Sequence, residues 1–272
     1  MTRRELLASN LALVIPQGRL YTFHVLGLLH PRKLVISPQP HARLIIKTAR
    51  GWQSLEGSQS LSITAGDTPV AVASDSSSVC AVSLEIPGAF RRSFRGELRI
   101  LCSGDELVPL LAMDSETAVS SVTSAELPVR DTPREALMAQ AVAARSFLTA
   151  TAPRHIGYDF CDTTHCQFLR SPAPFDSAVD RAVRQTAGVT LQYQRKIVPC
   201  RYSAACGGHT DGRDELGYHY QPVQCAGCLV NHYKRRGHGL GLCQEGAIHL
   251  ARIGWTYERI LAHYLPGTSL SF

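Results

Sequence analysis

A helix start marked at three neighbouring positions divides this chain of 272 residues. Thr132 reads as the N-cap, Pro133 as the first helical position and Glu135 as the third, where its carboxylate completes a capping box. Behind them Leu137, Ala141, Ala144 and Leu148 recur at spacings of four, three and four, a packing stripe along one side of a helix. Met138, Val142 and Arg145 share a second stripe. Seven residues make about two helical turns, so Arg145 projects from the same side as Met138, toward the segment that precedes the helix. That segment is the loop Ser124-Ala125-Glu126-Leu127-Pro128. Capping gives Glu135 a structural task, whereas Glu126 satisfies no cap and is either a solvated loop carboxylate or an acid pointing into a cleft. Arg145 is correspondingly a cation that positions substrate beside Glu126 or half of an ion pair. Gln140 is a ligand-binding amide or part of a polar helix face.

Upstream the pattern changes. Residues 35–37, 42–47, 61–64, 70–72 and 80–86 are short runs rich in Val, Ile and Leu, separated by clusters of Gly, Pro, Ser and Asp. Runs at 94–101 and 107–111 then bracket Ser103-Gly104-Asp105, a hairpin signal. The expected fold is α+β, with a β-rich region over 1–94 and a mixed helix and strand domain with a cleft over 95–272. At 44% hydrophobic residues the chain can bury a sizeable core. The net charge of +6 suits a polyanion, but the basic residues are dispersed and no aromatic-interleaved basic stripe points to nucleic acid. Apolar runs such as 11–16 fall far below the roughly 18 residues of a transmembrane helix. Glu5 and Asn10 interrupt the stretch after Arg3 and Arg4, so no convincing secretory signal is present.

Downstream, a helix is expected over 176–186 with Gly188 at its end, then a hairpin of 190–193 with 197–202 around Gln194-Arg195-Lys196. The second strand delivers Tyr202 to the paired glycines Gly207 and Gly208, which allow a close approach to a bound ligand. Tyr202 is a site tyrosine or a core aromatic. Helices over 244–253 and 257–264 complete the chain.

Nine cysteines cannot all pair, and seven of them fall between Cys161 and Cys243, interleaved with histidines. His155, Cys161, His165 and Cys166 offer two imidazoles and two thiols within twelve residues, the number and softness that tetrahedral zinc takes. Cys225-x-x-Cys228 has metal-ligand spacing too, and Cys206 with Cys243 would complete either a four-thiolate site or two disulfides. A nucleophilic pairing of Cys206 with His209 or His238 lacks an orienting third group. Cys80, Cys102 and Cys200 stand in strand-like surroundings as small hydrophobes. The glycine-rich run from Arg236 to Gly246 does not follow a clear strand and does not fit the dinucleotide spacing. His238 within it lines a cleft or holds a turn.

The runs SAELP, EALMAQAVAARSF, DTTHCQ, YSAACGGHT, GHGLGLCQEGA and HYLPGT, in this order, resemble the stage II sporulation protein D family, which includes the amidase enhancers. The resemblance spans about residue 95 to the C-terminus. It implies a peptidoglycan lytic transglycosylase with Glu126 as acid/base, Arg145 and Tyr202 as the other catalytic groups, and Gln140, Cys206 and His238 on the glycan. It further implies structural zinc on His155, Cys161, His165 and Cys166, and a location in the cell envelope. The family typically carries lysine where Met138 stands and serine where Cys206 stands. Two further readings are a noncatalytic wall-binding enhancer of a separate amidase, and a zinc module for protein contacts.

Overall fold

The computed structural model describes residues 19–74, 80–127, 131–151 and 153–272; Arg3, Arg4 and the run at 11–16 lie outside them. One sheet takes its seven strands in the order Phe160–Cys161, Leu20–His24, Glu106–Asp114, Glu97–Ser103, Val70–Ser74, Arg43–Thr48, Gly51–Glu56. A second takes Leu61–Ile63, Leu34–Pro38, Ala81–Ile86, Phe90–Arg95. Period-two alternation sets their faces: Leu34 and Ile36 in one sheet, and Leu44 and Ile46 in the other, are fully buried. The architecture is therefore α+β with a β-rich N-terminal part, as the sequence implies.

The hairpin at Gly104-Asp105 forms, with Gly104 in the left-handed region. The single strand expected over 94–101 is instead the end of Phe90–Arg95 and the start of Glu97–Ser103, in different sheets. The chain changes sheet at Gly96, whose φ is +140°, and a Cβ there would lie 2.4 Å from the Ala112 carbonyl oxygen. The seven-stranded sheet runs across the boundary expected between 94 and 95. Strands Glu97–Ser103, Glu106–Asp114 and Phe160–Cys161 all join strands from the first half. Of the three cysteines read as buried strand residues, Cys80 and Cys200 are buried, but Cys102 is exposed where its strand runs out into the hairpin.

The helices of the described residues are α1 (Ser115–Glu126), α2 (Arg134–Ala150), α3 (Ala178–Gln185), α4 (Ala226–Val230), α5 (Gln244–Arg252) and α6 (Tyr257–Tyr264). Helix α1 corrects the loop reading of Glu126, which is its last residue. Asp114 caps it by accepting the Thr117 N–H at 2.9 Å, and Leu127, forced toward extended backbone by the proline after it, ends it. Half of its twelve residues are Ser or Thr, poor helix formers, and burial of Ala118, Val119 and Val122 holds it instead.

Helix α2 begins at Arg134 with Pro133 as its N-cap, and Glu135 completes no capping box. Its carboxylate reaches across to accept the Tyr257 N–H at 2.9 Å, at the first residue of α6. An acid at a helix N-terminus is stabilising. Glu135→Gln is expected to lower chemical-denaturation stability by about 0.5 kcal/mol, leaving any glycan cleavage unchanged.

The hairpin after α3 turns at Gln194 and Arg195, both at positive φ, but its second strand is only Lys196–Ile197. Tyr202–Ser203 pairs elsewhere, in parallel with Leu242–Cys243, Tyr202 opposite Leu242 and Ser203 opposite Cys243. This short ladder draws two distant motifs together.

Candidate active site and cysteine clusters

Glu126 is half-buried at the C-terminal end of α1. Its Oε1 accepts the Phe168 backbone N–H at 3.2 Å, and its Oε2 accepts from the Gln244 amide at 3.3 Å. The same Gln244 Nε2 donates to Gln140 Oε1 at 3.3 Å, and both amides are buried. Gln140 is thus one step behind the carboxyl, holding the residue that holds Glu126. Its own Nε2 has no partner among the described residues.

Burial raises the Glu126 pKa, and the bonds from Gln244 and Phe168 oppose that rise without cancelling it. A carboxylate is also disfavoured at a helix C-terminus, where the unpaired carbonyls place partial negative charge. Tyr202 donates its hydroxyl to Gln167 Oε1. Burial pushes the Tyr202 phenol well above its usual value, and the charge of nearby Glu126 adds to the effect. Phe168, whose backbone N–H meets the carboxyl, is 42% exposed. Gln167, Phe168 and Gln244 are residues that the sequence reading passed over, although Gln167 ends DTTHCQ and Gln244 stands within GHGLGLCQEGA.

Arg145 is placed elsewhere. Its guanidinium is 2% exposed, donates to both oxygens of Glu116 at 2.8 and 2.7 Å, and reaches the Val189 carbonyl at 3.1 Å. Glu116 lies in the first turn of α1 and Glu126 at its end, about 15 Å apart along the axis. Arg145 is therefore a buried structural cation, the ion-pair alternative of the sequence reading. His238 accepts the Leu240 N–H on Nδ1 at 3.0 Å and so stabilises its own glycine-rich turn. Cys206 does not face a glycan either; it is 2% exposed, among the other cysteines.

Two clusters gather the soft ligands. The donor atoms of His155, Cys161, His165 and Cys166 lie within 4.8 Å of one another, with His155 Nε2 3.2 Å and His165 Nδ1 3.4 Å from Cys166 Sγ, and Cys161 Sγ 3.8 Å from His165 Nδ1. A tetrahedral zinc with ordinary bond lengths needs nitrogen–sulfur edges of about 3.6 Å, so these residues fit the metal. Burial, then the neighbouring His165 and Arg154, hold His155 below the usual imidazole value, which leaves a lone pair for a cation. The sulfurs of Cys206, Cys225, Cys228 and Cys243 also lie within 4.8 Å of one another, and all four are free thiols. Cys228 and Cys243 are 3.5 Å apart at sulfur, against about 2.05 Å for a disulfide.

The clusters flank the carboxyl symmetrically along the chain. Cys166 is followed by Gln167, which receives Tyr202, and then by Phe168, whose N–H binds Glu126. Cys243 is followed by Gln244, which binds the other carboxyl oxygen.

An uncharacterized protein of Brachyspira hyodysenteriae is 29% identical over 126 residues, 45% of this chain and 34% of that protein. The chain thus spans about a third of this curated relative. Residues 104–193 match the family described as SpoIID, stage II sporulation protein, a stretch that holds Glu126, Gln140, Gln167 and the His/Cys cluster. The match supports a role tied to the cell wall. Over residues 104–193, the chain is similar to the stage II sporulation protein family.

Proposed function

We propose that this protein is a peptidoglycan lytic transglycosylase, acting in the cell envelope on glycan strands, with Glu126 as its single acid and base. The supporting observation is the setting of that carboxyl. It is half-buried, its pKa is raised, and it is gripped by an amide and a backbone N–H rather than by a second carboxylate. Ordinary glycosidases need two carboxyl groups, the second as base or nucleophile. When the nucleophile belongs to the substrate, one suffices.

Glu126 first gives its proton to the oxygen linking N-acetylmuramic acid to N-acetylglucosamine, and that C–O bond breaks. The resulting carboxylate takes the proton of the muramic C6 hydroxyl as its oxygen attacks C1 and closes a 1,6-anhydro ring, which restores the acid. Gln244 and the Phe168 N–H each occupy one lone pair of the carboxyl, leaving a remaining lone pair to carry the proton toward the glycan. The bonds that those two make to the anion stabilise it between the steps. Tyr202 and the Phe168 ring line the sugar. His155, Cys161, His165 and Cys166 would hold zinc, which in a closed four-ligand site supplies rigidity to the loop carrying Gln167 and Phe168.

Zinc-loaded protein incubated with denuded peptidoglycan strands should release products with 1,6-anhydro ends, read by mass spectrometry; their absence, with binding retained, overturns the reading. The pH profile provides a second check. The reaction begins from protonated Glu126, whose pKa burial raises, so kcat/KM is expected to be level at low pH and to fall as pH rises through that raised value. Gln244→Ala removes a donor that favours the anion, so the falling limb should move to higher pH. A limb that stays put or moves down contradicts the assignment.

One observation favours the noncatalytic amidase enhancer as the alternative. Met138 is buried where the family typically has lysine, and Arg145 is held by Glu116, so neither supplies a cation to the cleft. Binding to purified sacculi without release of anhydro ends is the result which that reading expects.

A further inference from the structure

We propose that Cys206, Cys225, Cys228 and Cys243 form a second metal centre, a closed four-thiolate site for one tetrahedral divalent cation of the zinc type. The four residues come from separate pieces of the chain: the loop after Tyr202–Ser203, the N-cap and body of α4, and the N-cap of α5. All four are buried, Cys225 and Cys243 completely. The 3.5 Å between Cys228 and Cys243 sulfurs approaches the edge of about 3.8 Å that Zn–S bonds of about 2.3 Å require.

The shell around them is built for thiolates. Cys243 Sγ receives the backbone N–H groups of Cys206 and Gly246, both at 3.4 Å, and the Tyr264 hydroxyl lies 3.1 Å from Cys225 Sγ. Such outer hydrogen bonds orient metal ligands and tune their charge. The backbone is drawn in as tightly as sulfur permits. A Cβ on Gly246 would lie 1.9 Å from the Tyr264 oxygen and 2.5 Å from Cys225 Sγ, and one on Gly227 would lie 2.9 Å from the Gly246 Cα. On the outer side, an open pocket of about 530 Å³ reaches Cys206 and Cys228 and carries His209, His232, Lys234 and Arg235. The pocket gives a cation its way in, and Lys234 on its rim offsets part of the net negative charge that four thiolates leave around one divalent ion, Arg235 being paired with Asp211 at 2.7 Å. Soft sulfur donors in a tetrahedral set select zinc-like ions over hard cations. No ligand position is left open, so the centre is structural.

This centre sits one residue from Gln244, so it fixes the start of α5 and the amide on Glu126; that last consequence rests on the proposed function, whereas the metal site does not. The test is native mass spectrometry of the full chain with Zn(II) or Co(II) added. Two ions per chain are expected in the wild type and one in the double variant Cys161→Ser, Cys166→Ser. Cobalt in that variant should show the charge-transfer band of thiolate ligation, which disappears when Cys225→Ser and Cys228→Ser are added. If the last variant does not fold, the wild-type stoichiometry and the cobalt spectrum of the first-cluster variant still decide. A first-cluster variant that folds without metal, its remaining thiols all alkylated or joined as disulfides, overturns the proposal. These readouts are independent of glycan cleavage, so an inactive protein that holds two ions would sink only the enzymatic reading.

Discussion

Glu126→Gln should abolish release of anhydro ends from denuded peptidoglycan strands while strand binding and thermal stability persist. The substitution keeps the shape of the side chain and an oxygen for the Phe168 N–H, but removes the proton that the leaving group needs and the anion that activates the C6 hydroxyl. General acid–base assistance is worth about 10²–10⁴ in rate for one proton transfer, and in the proposed mechanism Glu126 performs both. Stability should hold or rise slightly, because a half-buried carboxyl with a raised pKa is already destabilised as an anion. Mass spectrometry of released products, beside a sacculus pull-down and a melting curve, checks each part. Equal activity in the variant would remove Glu126 from the chemistry.

The largest loss of stability is expected from Glu116→Ala. It would strand a guanidinium that is 2% exposed and leave it only the Val189 carbonyl. Breaking a buried ion pair by deleting one partner costs about 3–5 kcal/mol; Glu116 is 39% exposed on its side chain, so water offsets part of this and about 3 kcal/mol is the expected value. Urea denaturation should show the midpoint falling with its slope unchanged. Under folding conditions KM for glycan strands should match the wild type. An Arg145→Lys variant that raises KM at little cost in stability would restore the substrate-positioning role.

Arg145 shows where the sequence stops being informative. Its stripe with Met138 and Val142 is legible, and all three are buried as one face of α2. What that face meets is not legible, because α1 hides in a run of Ser and Thr that burial rather than propensity keeps helical. Without α1, Glu116 cannot be anticipated and Glu126 reads as a loop residue. Ligands close in sequence fare better: the His155 to Cys166 set is visible as soft donors packed into a short stretch. The four-cysteine set stays open between metal and disulfides, because its geometry depends on pairing Tyr202–Ser203 with Leu242–Cys243, a register that short segments do not encode. The strands of the first half are readable to within a few residues, apart from Leu20–His24, Gly51–Glu56, whose residues are mostly exposed, and Phe90–Arg95, which reads as one run with Glu97–Ser103 although the two lie in different sheets.

Cys161 is both a cluster residue and the end of the edge strand paired in parallel with Leu20–His24. On either side of that strand, Asp159 accepts the Thr22 N–H and Asp162 the Leu26 N–H, at 2.8 and 2.9 Å, with Arg92 3.7 Å from Asp162. The ligand loop is therefore shaped against the N-terminal half, although that half contributes none of its donors. A polypeptide begun at residue 95 would keep every α-helix of the described residues and every cluster side chain, yet lose the template on which the first cluster is laid out. The β-rich half is thus a mould for the site, and cutting it away would unshape a loop that it never covalently ends.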